Sequence, residues 1–317
     1  MNTPARIAAF ALGLIAVFGA AVGVGAAVGP VGPAGVDAPA TTGSGHGDDG
    51  HGANGQGANG QGTIGQGAAT AGHDIPPGGL QVSEDGYTLA LDSGTAPAGS
   101  TSPVAFRILG PDGHPVADYE REHDVDLHLV AVRRDLSGYQ HVHPELGSDG
   151  TWRTTLALDP GTWRLFADFT PVGGENTTLG ADLAVAGEYV PASLPAPAAS
   201  TEVDGYTVVL NGELSPGQES ELTLSVSRGG VPVTDLQPYL GAYGHLVALR
   251  DGDLAYLHVH PAEPRDGTTP APGPHVRFVT TAPSAGTYRL FLDFRHGSVV
   301  RTAAFTVVLD ASEEHGS

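Results

Sequence analysis

The chain has 317 residues, 47 of them Gly and 25 Pro, no Cys, no Lys, a single Met at position 1 and a formal net charge of −21. No disulfide framework, thiolate metal site, cysteine nucleophile, lysine Schiff base or Walker-type phosphate loop can be built from it, and a blue-copper or soft thioether Cu(I) site lacks its sulfur ligands. The acidity argues against nucleic acid as a partner, while 40% hydrophobic content suffices for cores in two domains of ordinary size.

Arg6 is followed by the uncharged run Ile7 to Gly29. That length exceeds the apolar region of a secretory signal and matches a bilayer span, so residues 1–29 are expected to be a signal anchor, or a cleaved signal peptide, with the rest of the chain on the extracytoplasmic side of the membrane. Residues 30–79 contain the repeat GANGQ-GANGQ-GTIGQ and almost nothing to bury. They read as a disordered Gly-rich linker, whose His46, His51 and His73 beside Asp48, Asp49 and Asp74 either scavenge metal loosely or merely solubilise the tether.

Beyond Gly79 short alternating runs such as Tyr87-Thr-Leu-Ala-Leu and Leu222-Thr-Leu-Ser-Val recur between turn clusters. No long segment of helical period competes with them. The class is all-β, with two tandem immunoglobulin-like β-sandwich domains at residues 80–188 and 202–310. The Pro/Ala-rich residues 189–201 form a semi-rigid linker between them, and residues 311–317 a tail.

The two halves repeat one another. Over the 18 positions starting at His128 and at His245, ten are identical, and Gly161-Thr-Trp-Arg-Leu-Phe-Ala-Asp-Phe matches Gly286-Thr-Tyr-Arg-Leu-Phe-Leu-Asp-Phe at seven of nine. Such self-similarity marks a tandem duplication, and the duplication acts as a filter. His114, His123, His275 and His296 lack a counterpart in the other half. His128, His141 and His143 are answered by His245, His258 and His260, Tyr139 by Tyr256, and Asp168 by Asp293.

Residues i and i+2 of a strand share a face, so His141 and His143 project together. On the preceding strand Leu127, Leu129 and Ala131 face one side, and His128, Val130 and Val132 the other. A hairpin turning near Asp135 to Gly138 brings the three imidazoles together. Three neutral imidazoles suit Cu(II) or Zn(II). Asp168 is either a carboxylate ligand or an acceptor that orients one histidine. The second set is His245, His258, His260 and Asp293, making one expected site per repeat. Histidines that bond backbone carbonyls at strand ends are the structural alternative. Tyr139, Tyr256, Trp152 and Trp163 read as packing residues.

The turn Gly110-Pro-Asp-Gly-His114-Pro-Val resembles a segment of the periplasmic copper-resistance β-sandwich proteins, which implies His114 as a weaker Cu(II) candidate; the second half has Val231 in its place. The HLVAV, YxHVHP and PGTWRLF segments resemble uncharacterised exported bacterial β-sandwich proteins associated with copper and other heavy metals. That resemblance favours copper over zinc. The expected function is a membrane-tethered, extracytoplasmic metal-binding protein serving sequestration, or delivery to a membrane metal transporter. The alternatives are a non-catalytic structural or interaction module pair and a metalloenzyme. The last lacks a general base or nucleophile recurring in both halves.

Overall fold

The computed structural model describes residues 77–257, 259–262 and 270–310, with the side chain of His260 also left undescribed. The expected membrane segment, the Gly-rich linker up to residue 76, the tail and His258 lie outside these residues. Among the described residues no helix is long and apolar enough to cross a membrane.

In chain order the first repeat contains β1 (Ser83–Glu84), β2 (Tyr87–Leu91), β3 (Thr95–Ala96), β4 (Gly99–Leu109), β5 (Tyr119–Glu120), β6 (Leu127–Arg133), β7 (Gln140–Val142), β8 (Glu145–Leu146), β9 (Trp152–Leu158), β10 (Gly161–Pro171) and β11 (Thr177–Val185). The second contains β12 (Ser200–Val203), β13 (Tyr206–Asn211), β14 (Glu219–Arg228), β15 (Val231–Pro232), β16 (His245–Arg250), β17 (Tyr256–Leu257), β18 (Val259–Pro261), β19 (His275–Thr281), β20 (Gly286–His296) and β21 (Val299–Leu309). The first repeat pairs them in the orders β1-β2-β4-β9-β8 and β3-β11-β10-β6-β7; the second has β12-β13-β14-β19-β18 and β17-β16-β20-β21. Each repeat is thus an immunoglobulin-like sandwich, with one sheet of the ABED kind and one built on the C, F and G strands. In the first repeat a short strand, β3, pairs parallel to β11.

Alternation explains the two cores. Leu127, Leu129 and Ala131 of β6 join Phe106, Trp152, Trp163 and Leu165 inside the first sandwich; Leu246 and Ala248 of β16 join Tyr206, Phe278, Leu290 and Phe294 inside the second. Both tryptophans are core residues, at 2% and 1% exposure.

The opposite faces are buried as well. Val130, Val132, Leu136 and Phe166 of the first repeat form a third cluster with Val247, Leu249, Leu254, Tyr256 and Phe291 of the second. The sandwiches therefore pack through their β6–β10 and β16–β20 faces, and the contacts are reciprocal. Tyr139 stacks on Phe291 with centroids 4.0 Å apart and planes 5° from parallel, while Tyr256 lies 5.4 Å from Phe166. The duplicated residues thus play the same part from each side, as in an isologous contact about a two-fold axis. Burying each phenylalanine stabilises the docked pair by on the order of 2–3 kcal/mol.

Residues 78–81 seal one edge of this junction. Gly79 N donates to Thr178 O at 2.7 Å, Gly180 N to Gln81 O at 2.8 Å, and Tyr256 N to Gly78 O at 3.0 Å, so this segment bridges β11 and β17. The approach is close enough to require glycine: a Cβ on Gly180 would sit 2.0 Å from Gly79 O.

Candidate functional site

The site grows from the β6–β7 hairpin. Its turn is set by Leu136 at φ +61° and Gly138 at φ +69°, with Ser137 Oγ donating to Asp135 Oδ1 at 2.6 Å. The register places Val130 opposite His141, which brings His128, His141 and His143 onto the face that looks at the other sandwich. One ligand atom from each of the three lies within 4.8 Å of the others. Ring centroids are 5.2 Å apart for His128–His141 and His128–His143, and 5.0 Å for His141–His143.

The second repeat completes the surroundings. His245 opens β16 opposite Asp293 of β20, and its ring lies 6.1 Å from those of His128 and His141. It thus stands beside the first repeat's triad, while its expected partners His258 and the His260 side chain lie outside the described residues. Asp293 also reaches across: its Oδ2 accepts from His141 Nδ1 at 2.9 Å, and its Oδ1 accepts from Thr302 Oγ1 at 2.5 Å. The side chains of His141 and Asp293 are 5% and 4% exposed.

This pairing fixes the tautomers. The Asp293 carboxylate takes the Nδ1 proton of His141, leaving a lone pair on His141 Nε2. His128 Nδ1 lies 3.0 Å from that atom and must be its donor in the neutral pair. The free lone pair of His128 then falls on Nε2, which is buried and has no hydrogen-bond partner among the described residues; His143 Nε2 is in the same position. His245 donates from Nε2 to Tyr239 O at 2.7 Å, so its Nδ1 holds the lone pair.

Burial keeps His128, His143 and His245 neutral. It pushes His128 down to about 2, with His141, His143, His245 and His123 each adding repulsion against a proton. His143 is lowered to about 4 by burial and then by His141 and His245, against an opposing pull from Asp293. His245 is lowered to about 4, chiefly by burial, although its bond to the Tyr239 carbonyl works the other way. Neutral imidazoles with unshared lone pairs are what a borderline cation binds. Two tetrahedral ligands held 2.0–2.1 Å from a metal stand about 3.3 Å apart, so a cation could sit between His128 Nδ1 and His141 Nε2 with a shift of a few tenths of an ångström, the displaced proton moving to His128 Nε2 to keep that ring neutral.

The remaining candidates divide. Asp168 faces His128 across β10 and β6 and accepts from Asn176 Nδ2 at 2.9 Å, but it does not belong to the converging group. Burial and the charge of Asp168 raise Tyr256 well above its ordinary value, as burial and Asp293 do for Tyr139. His114 sits exposed in the hairpin turn closed by Gly110 N to His114 O at 2.8 Å, with no ring contact to the cluster among the described residues. His275 and His296, lacking counterparts, are engaged elsewhere, with Ser225 Oγ and with Tyr206 and Asp235. A cleft of about 670 Å³ opens beside the junction, its wall combining Glu84, Asp85, Glu175 and Glu219 with Pro77, Leu257, Val279 and Pro283.

Two residues at the cluster were not singled out from sequence. Tyr239 supplies the carbonyl to His245 and lies 6.0 Å from His143, ring to ring. His123 stands 5.0 Å from His245 and 6.1 Å from His128; the repeat comparison had set it aside because Leu240 occupies its place in the second copy.

No curated protein matches the sequence. Among solved structures, a DUF4426 family protein from Pseudomonas aeruginosa aligns at 11% identity over 36% of this chain and 95% of its own, with a TM-score of 0.26. The Escherichia coli adhesin FdeC aligns at 15% identity over 72% and 65%, with a TM-score of 0.22, and a two-domain fibronectin type-III segment of chicken tenascin at 10% identity over 69% and 97%, with a TM-score of 0.20. The sequence itself matches one family twice, over residues 81–187 and 201–311, and the chain therefore belongs to the family described as Domain of unknown function (DUF8832), of which it carries two copies in tandem.

Proposed function

We propose that this pair of immunoglobulin-like modules holds a metal ion at the junction between them, with Cu(II) or Zn(II) as the cation. The observation that carries the reading is the convergence of His128, His141 and His143, two of whose buried nitrogens have no other partner among the described residues. His245 is the nearest additional ligand. Asp293 acts as the carboxylate that orients His141, the arrangement found behind metal-bound imidazoles generally. Asp168, His258, His260 and His114 remain candidates by sequence alone. Sequestration, or delivery to a membrane metal transporter on the extracytoplasmic side, belongs to the same proposal and rests on residues 1–79 of the sequence.

A second reading is favoured by the bonds His141–Asp293 and His245–Tyr239. They engage two of the rings without a cation, as expected of a structural or interaction module pair whose histidines orient the docking. Titrating Cu(II) and Zn(II) separately into the full chain, with His46, His51, His73 and His315 changed to Gln to remove the terminal ligands, decides between them. Stoichiometric binding that His141→Ala abolishes supports the metal site; no stoichiometric binding in the parent leaves the module pair.

A further inference from the structure

The triad residues are half-buried, but the Nε2 atoms of His128 and His143 are shut off from solvent and the His141 side chain is 5% exposed, so a cation must have a way to these nitrogens. His123 is exposed on a turn closed by Glu122 N to Val125 O at 3.0 Å and Val125 N to Glu122 O at 3.1 Å. It holds φ +50° and its neighbour Asp124 φ +68°. The corresponding turn of the second repeat, Tyr239–Ala242, has the same pair of bonds and the same left-handed positions at Leu240 and Gly241. The two turns meet: a Cβ on Gly241 would lie 3.6 Å from Asp124 Oδ2. They sit over the cluster as matched halves, yet only one of them carries an imidazole.

From solvent inward the rings form a continuous series. His123 is 5.0 Å from His245 and 6.1 Å from His128, and His128 is 5.2 Å from both His141 and His143. An imidazole nitrogen lies about 1.1 Å from its ring centre and binds a metal at 2.0–2.1 Å, so two rings can share one ion when their centroids are within about 6.3 Å. Every step of the series meets that limit. These separations leave room for a cation to pass from ring to ring with one ligand kept, given rotation of the rings to face it.

We propose that His123 is the capture ligand of this site: it takes a divalent cation from solvent and hands it through His245 and His128 to the buried triad, without being part of the final coordination. The inference rests on the metal-binding reading above. It assigns the exposed, unduplicated histidine a kinetic role, and it makes uptake one-sided in an otherwise two-fold junction.

The test is stopped-flow uptake of Cu(II) by the full chain carrying Gln at positions 46, 51, 73 and 315, compared with the same chain carrying His123→Asn. Asn tolerates the left-handed conformation, so the turn is retained while the imidazole is lost. The expected result is an on-rate and an off-rate each reduced about tenfold with the dissociation constant unchanged within twofold, since a ligand used only in transit lowers both barriers equally. An unchanged on-rate overturns the proposal. So does a tenfold weaker dissociation constant with the on-rate preserved, which makes His123 a resident ligand. A parent chain that binds no Cu(II) refutes the site reading itself, whereas a parent that binds and a variant that matches its rates refute only the capture role.

Discussion

The two repeats share the parts that dock and differ in the parts at the rim. Tyr139 with Phe291 and Tyr256 with Phe166 pair equivalent residues from opposite sides, stacked at 4.0 Å in the first and tilted by 42° at 5.4 Å in the second, and Val130 and Val132 answer Val247 and Leu249 in one cluster. Around this apolar centre the polar groups diverge. Arg164 is held by Asp182 at 3.0 Å and by the carbonyls of Gly79 and Leu80 at 2.6 and 2.9 Å. Its counterpart Arg289 has Thr306 Oγ1 at 2.8 Å among the described residues and a pKa lowered by burial, while the Nε atoms of both arginines are buried without a partner among those residues. Asp293 bonds His141 of the other repeat, and Asp168 bonds Asn176 of its own repeat as well as Tyr256 across the junction. His123 becomes Leu240.

That symmetry of packing should break most visibly when its apolar members are truncated. Phe166→Ala and Phe291→Ala are each expected to cost about 3–5 kcal/mol by denaturant unfolding, in similar amounts; a several-fold smaller loss for one would deny that the two contacts are equivalent. The polar asymmetry should appear next. Asp293→Asn is expected to weaken Cu(II) affinity by about 10–100-fold, as loss of an orienting carboxylate does. Asp168→Asn should change it less than about threefold, and equal losses in a competition titration would restore two-fold symmetry to the site.

Acid probes the same cluster through linkage. His245 has an ordinary value of 6.5 and a folded value of about 4, so the unfolded chain binds the extra proton first. Its contribution is fully present above about pH 6.5 and is lost as pH falls toward 4. Unfolding free energy of the metal-free chain should drop by on the order of 1 kcal/mol from this residue by about pH 5.5, and His245→Gln should flatten that part of the profile. A profile with the same slope after the change would place the acid sensitivity elsewhere. The smallest effect belongs to the half-exposed rim. Asp182 also meets Arg134 at 2.7 Å and is 44% exposed, so Asp182→Asn should cost only about 0.5 kcal/mol in the same unfolding measurement.

Much of this was legible without coordinates. Period-two alternation and evenly spaced turn residues dictate strands and a sandwich, and the duplicated H-x12-H-x-H spacing with an intervening turn dictates a hairpin that gathers His128, His141 and His143. Those are local consequences of pleat and turn geometry. Even the burial of both sheet faces left a trace, since Leu127-His-Leu-Val-Ala-Val and His245-Leu-Val-Ala-Leu are near-continuous apolar runs where a half-exposed strand would alternate. The docking itself was not legible. That His245 belongs beside the first triad, that Asp293 orients a histidine 152 positions away, and that His123 stands at the solvent end of the series all depend on how two finished sheets meet. No local period carries that information, because the contacts join side chains whose only relation is the packing of one apolar face against another.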